Sequence, residues 1–159
     1  MLDSDFNVGV YQGQPVRGDT DANLMVVETV MKLARSKGLD LVLFGELFLS
    51  GYDICKEEMQ NCSFSLNESN EKNLGPIYNI AKENNCGIAV GYSEDGDDGC
   101  LYNSCCLVDA NGTLVHNYRK CHLWDPEKTH EKVIFQPGAE LNVSSFIIQR
   151  TKETVKVSS

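Results

Sequence analysis

The sequence is poor in positive charge. Its 14 lysine and arginine residues stand against 23 aspartate and glutamate residues, which gives a formal net charge of -9. Proteins that bind the phosphate backbone of nucleic acids are usually basic, with clustered lysine and arginine. We therefore expect no nucleic-acid partner, and the acidic balance mainly favours solubility.

Long apolar runs are also missing. No stretch approaches the roughly 20 apolar residues that a membrane-spanning helix needs. The first residues carry Asp3 and Asp5 instead of the basic segment and apolar run of a secretory signal. We expect no membrane partner and a cytoplasmic location.

Motifs for metals, disulfides and phosphate groups are absent too. The seven cysteines form an odd set without paired Cys-x-x-Cys spacing, which favours reduced, mostly buried thiols over a disulfide framework or a zinc site. His122 and His130 have no partner at metal-ligand spacing, so ordinary core or surface positions are favoured. Neither a G-x-G-x-x-G nor a Walker pattern occurs. We expect no metal and no organic cofactor.

The remaining patterns predict one α/β domain over residues 1–159. A chain of 159 residues with 42% hydrophobic content is long enough for one core. A strand over 6–12 is followed by a helix that Gly38 ends and by a continuous apolar strand over 39–44. This strand-helix-strand order is typical of α/β folds. Four apolar residues at helical spacing predict the inner face of the helix: Leu24, Val27, Met31 and Ala34.

The rest of the chain predicts a second helix and several strands. Gly75 and Pro76 open a helix that runs to about Asn84. Two strands flank the segment Asp109-Ala110-Asn111-Gly112, which has the residues of a hairpin turn. The other predicted ranges are 55–73 for a loop or weak helix, and 86–92, 101–108, 113–119, 143–149 and 154–157 for strands, the last two pairing with each other.

Glu46 is the first candidate for chemistry. It comes directly after the apolar strand and precedes Leu47, Phe48 and Leu49. Apolar surroundings raise the pKa of a carboxyl group, which would bring it toward the range useful for a general base. The alternative is that Glu46 marks the solvent-exposed end of the strand or caps the next segment.

Lys120 and Glu131 are the other candidates. Lys120 ends the second hairpin strand, where a lysine could donate hydrogen bonds to a developing oxyanion. An ordinary surface lysine fits the same position. Glu131 falls in a polar segment over 125–132, for which a solvated charged loop is the simplest interpretation.

The order and spacing of several segments are a stronger signal than any single residue. These segments are Val8-Gly9-Val10-Tyr11-Gln12, a helix start over 18–24, Phe44-Gly45-Glu46-Leu47-Phe48-Leu49-Ser50-Gly51-Tyr52, the hairpin residues Tyr102-Asn103-Ser104 with Asn111-Gly112, Tyr118-Arg119-Lys120-Cys121-His122-Leu123-Trp124, and Glu131 with Phe135, Pro137 and Gly138. In this arrangement the sequence resembles the nitrilase, or carbon-nitrogen hydrolase, superfamily over nearly its whole length.

The resemblance implies a fold and a set of roles. The fold would be α/β, a four-layer α-β-β-α sandwich of which residues 1–159 form the N-terminal part of the carbon-nitrogen hydrolase domain. Glu46 would activate a cysteine thiol as general base, Lys120 would stabilise the tetrahedral intermediate, and Glu131 would position these groups and the substrate. The substrate would be a small linear amide or nitrile. Members commonly form dimers through their helices, so we expect a homo-oligomer of that kind.

Two departures from the family pattern matter. Gly45 stands where the family usually has proline, and no cysteine comes after Cys121 that could be carried over to the nucleophile. We therefore expect a chain that ends before its nucleophile and is inactive alone.

Two alternatives stay open. The first is a non-catalytic product that binds a full-length relative through the family's dimer surface. The second is a plain α/β binding domain with chance motifs, in which Glu46, Lys120 and Glu131 do not converge.

Overall fold

The computed structural model describes residues 5–124 and 131–158. Its elements are β1 (Val8–Val10), α1 (Thr20–Lys37), β2 (Leu41–Leu43), α2 (Lys56–Asn61), α3 (Gly75–Asn84), β3 (Gly87–Asp95), β4 (Leu101–Val108), β5 (Leu114–Arg119), α4 (Glu131–Ile134), β6 (Val143–Ile147) and β7 (Thr154–Ser158). The α/β class and the predicted helices and strands are confirmed, although β1 and β2 are shorter than predicted. Within these residues, no helix has both the length and the apolarity to cross a membrane.

Helix α1 begins and ends where its sequence predicts. The side chain of Asp19 accepts a hydrogen bond from the amide of Ala22 at 2.9 Å, which caps the N-terminus. Gly38 ends the helix with a left-handed φ of 67°. Three of the predicted inner-face residues are buried, Val27, Met31 and Ala34. Leu24 is partly buried and packs against the same core, and Asn23 beside it is fully buried.

Five strands form one mixed sheet in the order β1-β2-β3-β4-β5. The first three run parallel, and β4 is antiparallel to both of its neighbours. Parallel strands need a crossover, which α1 supplies after β1 and α2 with α3 supply after β2. The predicted hairpin joins β4 to β5, with a register shift between Leu107 and Val108. Strands β6 and β7 pair as a second, antiparallel sheet, as predicted.

The two faces of the five-stranded sheet are covered differently, because alternate residues of a strand point to opposite faces. One set packs against α1 and α3: Val42, Ile88, Val90, Cys106 and Val108. The other set packs with Phe146 and Ile148 from the segment of β6: Leu41, Leu43, Ala89, Leu107 and Val115. The described residues therefore form three consecutive layers of the predicted sandwich, namely helices, sheet and sheet.

A further apolar cluster lies at the end of the sheet where β4 begins. It joins α2 and α4 to the turn after β2, and its buried members are Leu47, Met59, Leu101, Ile134 and Phe135. Helix α2 lies inside the range predicted as a loop or weak helix. This cluster brings the segments that carry the candidate site residues to one place.

Candidate active site

Glu46 lies in the turn over 46–50 after β2, and β3 holds this turn in place. The amide of Gly91 donates to the carbonyl of Gly45 at 3.2 Å, and the amide of Leu49 donates to the carbonyl of Gly91 at 3.1 Å. A Cβ on Gly91 would lie 2.5 Å from the Leu47 nitrogen and 2.6 Å from Glu46 Cα. The close approach of turn and strand therefore requires a glycine at 91.

The buried Asn23 of α1 supports the same turn. Its Nδ2 donates to the carbonyls of Leu49 and Val16 at 3.1 and 2.8 Å, and its Oδ1 accepts from the amide of Val16 at 2.7 Å. The side-chain amide therefore satisfies backbone groups on both sides of the helix start. An apolar residue here would leave those groups without partners.

Lys120 comes directly after β5, and two neighbouring segments fix its backbone. Its amide donates to the carbonyl of Asn103 at 2.8 Å, and its carbonyl accepts from the amide of Gly138 at 3.0 Å. A Cβ on Gly138 would clash with the carbonyl oxygen of Arg119, so the chain passes β5 more closely than any other residue would allow.

Glu131 begins the single helical turn α4, so the interpretation of a solvated loop is wrong at this residue. Ile134 and Phe135 are buried and dock the turn onto the sheet. As a result, the side chain of Glu131 is only 12% exposed. The preceding part of the predicted loop, 125–130, lies outside the described residues, and so does His130.

The structure brings the three predicted site residues together. Lys120 Nζ lies 2.8 Å from Glu46 Oε1 and 2.8 Å from Glu131 Oε1. These side chains come from three separate segments, the turn after β2, the end of β5 and the start of α4. The alternative of chance motifs required them to lie apart, and it is therefore wrong.

Two further residues bond to these carboxylates, and the sequence did not single them out. Asn103 Nδ2 donates to Glu46 Oε1 at 2.7 Å and to Glu131 Oε1 at 2.8 Å. The hydroxyl of Tyr52 also lies near Glu46 and lowers the pKa of its carboxyl. The alternation of the predicted hairpin carries a signal for Asn103, because it places Asn103 on the same face as Lys120. Tyr52 comes after an irregular turn, for which no periodic signal exists.

Hydrogen bonds keep Glu46 ionised. Burial raises the pKa of Glu46, but hydrogen bonds from Lys120, Tyr52 and Asn103 and the charge of Lys120 outweigh burial, so the pKa lies below its ordinary value. The expectation of a raised pKa is therefore wrong. The carboxylate turns toward polar partners, while the apolar residues next to it in sequence turn into the core.

The contacts with Glu46 and Glu131 also keep Lys120 and Tyr52 protonated. Burial lowers the pKa of Lys120, but its hydrogen bonds to Glu131 and Glu46 and their charges outweigh burial, so the pKa is raised. Burial, and then the hydrogen bond and charge of Glu46, raises the pKa of Tyr52 well above its ordinary value. At neutral pH the site therefore presents a carboxylate acceptor beside an ammonium donor and a hydroxyl donor.

A cleft of about 340 Å³ opens beside these groups. Its lining includes Glu46, Lys120, Asn103, Tyr118 and Cys105. Burial raises the pKa of the Cys105 thiol to about 11, so this cysteine is almost entirely protonated at neutral pH. The neighbouring Cys106 points to the opposite face and is fully buried.

All seven cysteines lie among the described residues and are free thiols. The prediction that they are mostly buried is wrong, because only three are: Cys62, Cys86 and Cys106. Within 5–124 and 131–158, no group of three or more His, Cys, Asp or Glu side chains is placed to hold a metal ion.

One known protein family matches nearly the whole chain. A family model for carbon-nitrogen hydrolases matches residues 7–156. The N-carbamoylputrescine amidase of Solanum lycopersicum is 31% identical over 121 residues, which cover 76% of this chain and 40% of that protein. The protein N-terminal amidase of Saccharomyces cerevisiae is 32% identical over 127 residues, which cover 74% of this chain and 26% of that protein. The chain therefore spans less than half the length of these relatives.

Solved structures show the same fold. An amidase from Nesterenkonia sp. matches with a TM-score of 0.66 and 22% identity, over 86% of this chain and 49% of that one. A mutant of the Nesterenkonia AN1 amidase from the nitrilase superfamily matches with a TM-score of 0.68 and 21% identity, over 90% of this chain and 53% of that one. Because the family match extends over nearly all of its residues, the chain belongs to the carbon-nitrogen hydrolase family of the nitrilase superfamily.

Proposed function

We propose that Glu46, Lys120 and Glu131 are the acid-base and electrostatic groups of a site that hydrolyses a carbon-nitrogen bond in a small linear amide or nitrile. The observation that carries the proposal is the contact of Lys120 Nζ with both carboxylates at 2.8 Å. In such chemistry a cysteine thiol attacks the substrate carbon and forms a thioester, which water then hydrolyses. Amides are favoured over nitriles because several similar proteins are named amidases.

Glu46 acts as the general base. It is the more accessible of the two carboxylates, 45% exposed against 12% for Glu131. It accepts the thiol proton as sulfur bonds to the amide carbon, and it returns that proton to the leaving nitrogen as the carbon-nitrogen bond breaks. Water then attacks the thioester, gives a proton to Glu46 and releases the carboxylic acid, and the thiol is restored.

Lys120 stabilises the charge that develops on the substrate oxygen. An ammonium has three N–H groups, and Lys120 donates two of them to Glu46 and Glu131. The third is available to the oxyanion of the tetrahedral intermediate. The more buried Glu131 holds the ammonium in position and, with Glu46, keeps it protonated.

The nucleophile comes from polypeptide other than residues 1–159. Cys105 lines the cleft, but it precedes Lys120 in the chain, whereas the nucleophile that the resemblance implies follows the lysine. The sequence has no cysteine after Cys121. Residues 1–159 therefore supply the carboxylates and the ammonium of the site, and they do not hydrolyse amides alone.

Ammonia release from short linear amides tests this function. Residues 1–159 should release none, whereas a polypeptide that continues from Ser159 to a cysteine should release ammonia. In that polypeptide, Lys120→Met and Glu46→Gln should each lower kcat by about 10²-fold or more, because the oxyanion donor or the base is lost.

Lys32→Met is the matched control, because it removes an exposed lysine of α1 that pairs only with Glu28 among the ion pairs described. It should leave kcat unchanged. Turnover by residues 1–159 alone, or full turnover by the Lys120→Met variant, would contradict the proposal.

A second candidate function is binding to a full-length relative without catalysis. Apolar side chains exposed on α1, Met25 and Leu33, and on the edge strand β1, Val8 and Val10, favour it. The α1 surface would equally support a homo-oligomer. Sedimentation of the chain alone and mixed with a full-length relative distinguishes the two, since only heterologous binding needs the second protein.

A further inference from the structure

Directly behind the candidate site lies a buried carboxylate that the proposed reaction does not use. Glu94, in β3, is 1% exposed. Its Oε1 accepts hydrogen bonds from Nε and Nη2 of Arg119 at 2.9 and 2.5 Å. Two N–H groups of one guanidinium therefore share a single carboxylate oxygen in a charge-assisted ion pair. The guanidinium of Arg119 in turn stacks 3.9 Å from the ring centre of Tyr102.

The second oxygen of Glu94 connects further strands. Glu94 Oε2 accepts hydrogen bonds from Ser104 Oγ at 2.6 Å and from Asn117 Nδ2 at 2.8 Å. Ser104 belongs to β4, and Asn117 belongs to β5. Since the sheet order is β3-β4-β5, Glu94 reaches across β4 to β5. One carboxylate therefore ties three neighbouring strands together.

The chain neighbours of these residues face the candidate site. Ser104 and Arg119 lie opposite each other on β4 and β5 and point to the helix-covered face. Because side chains alternate, Asn103 and Lys120 point to the opposite face, where both donate to Glu46. The Glu94 cluster and the site therefore lie back to back across the same two strands.

We propose that the Glu94–Arg119 pair positions the site. It fixes the spacing of the two strands where β4 begins and β5 ends, and thereby aims Asn103 and Lys120 at Glu46. An apolar pair of similar volume would serve stability equally well. Only an acceptor such as a carboxylate, however, binds donors from both strands at once. The proposal rests on the proposed function, but its test reads the geometry of the site instead of turnover.

Carbon-detected NMR titration of the Glu46 carboxyl in residues 1–159 tests the pair. Glu94→Gln should raise the pKa of Glu46 by about 0.5 to 1, because Lys120 and Asn103 are held less firmly against it. The double variant Glu94→Gln, Arg119→Met removes the buried carboxylate charge together with the partly exposed charge that pairs with it. It should therefore regain thermal stability while the pKa of Glu46 stays raised. A purely structural role predicts the reverse, a lowered Tm with Glu46 unchanged.

Asp40→Asn is the matched control. It removes a carboxylate that is 7% exposed and paired with Arg150 at 3.2 Å, just before β2 at the end of the strand away from Glu46. It should lower Tm without moving the pKa of Glu46. If Glu94→Gln does not fold, Arg119→Lys takes its place, since it keeps the positive charge and loses the pair of guanidinium N–H groups that donate to Glu94.

An unchanged Glu46 pKa in every folded variant overturns the proposal. This result would be independent of catalysis, because the titration needs no thiol and no substrate. Failure of the extended polypeptide to hydrolyse amides would instead count against the proposed function alone.

Discussion

Lys120 and Asn103 share the same two acceptors, Glu46 Oε1 and Glu131 Oε1. A side-chain amide has two N–H groups, and Asn103 uses them to bridge the carboxylates just as Lys120 does. The crossed pattern fixes the two carboxylates relative to the ammonium more firmly than an isolated ion pair would. It also places two negative charges around one positive charge, which keeps Lys120 protonated.

Tyr52→Phe isolates the third donor to Glu46. It removes the hydroxyl that lowers the pKa of Glu46 and keeps the aromatic ring, so the pKa of Glu46 should rise by about 0.5 in an NMR titration. Tyr118→Phe is the control, because Tyr118 also lines the cleft but its hydroxyl accepts from the amide of Cys121. If Glu46 titrates identically in both variants, the Tyr52 hydroxyl does not help to keep it ionised.

Taken one at a time, the site residues are weak evidence for a site in the sequence. Glu46, Lys120 and Glu131 each had a plain structural interpretation, and only their common order along the chain favoured a site. The prediction of an apolar environment for Glu46 is wrong, because polar side chains distant in sequence surround its carboxylate. Its true neighbours, Asn103 and Lys120, lie far along the chain, where only the sheet register brings them near.

The turn that carries Glu46 depends on an element that has no chemical role, strand β3. The turn lies so close to Gly91 that a side chain at position 91 would clash with the backbone of Gly45, Glu46 and Leu47. Leu47 itself has a left-handed φ of 48°, a conformation that costs a non-glycine residue free energy. The packing of turn and strand therefore offsets local strain in the segment that aims Glu46.

Gly91→Ala should destabilise the protein by about 1 to 3 kcal/mol, because the new methyl group must displace backbone. Gly45→Ala, directly before the same turn, is the control: a Cβ there meets nothing within 4 Å and the φ of Gly45 is not left-handed. It should change the free energy of unfolding by no more than about 0.5 kcal/mol. Urea unfolding of both variants measures this, and equal stabilities would contradict the packing of turn on strand.

The register of the hairpin of β4 and β5 is a feature that residue patterns do not predict. Alternation correctly predicts the strands and the faces of their residues. Pairing Val108 with Thr113, straight from the predicted turn, would place Lys120 opposite Leu101. In the structure Val108 pairs with Leu114 instead, and the bulge between Leu107 and Val108 shifts the register by one more residue, which brings Lys120 opposite Asn103. A bulge results from the packing of the whole sheet, so the turn residues alone do not predict it.

In the molecule as a whole, helices cover one face of the main sheet and the β6–β7 sheet covers the other. The order of strands and helices was predictable, because buried strands and amphipathic helices differ in period. The sequence does not predict α4, because a single turn is too short to show a period. It matters because its buried residues bring Glu131 to Lys120.

The site also couples the stability of the molecule to pH. The pKa of Glu46 lies below its ordinary value of 4.5, so its stabilising contribution is present above pH 4.5 and is lost as the pH falls through the lowered pKa. The pKa of Lys120 lies above its ordinary value of 10.5, so its contribution is present below pH 10.5 and is lost as the pH rises through the raised pKa. Both side chains are partly exposed, so solvent screens the pair and the contribution is small.

The most direct test of a single coupled site is the pKa of the Glu46 carboxyl in the unaltered chain and in Lys120→Met, measured by carbon-detected NMR. The unaltered chain should titrate below 4.5, because Lys120, Tyr52 and Asn103 stabilise the carboxylate. Lys120→Met should titrate above 4.5, because burial and the charge of Glu131 then act without a compensating cation. The same pKa in both proteins would show that Lys120 and Glu46 do not form one site.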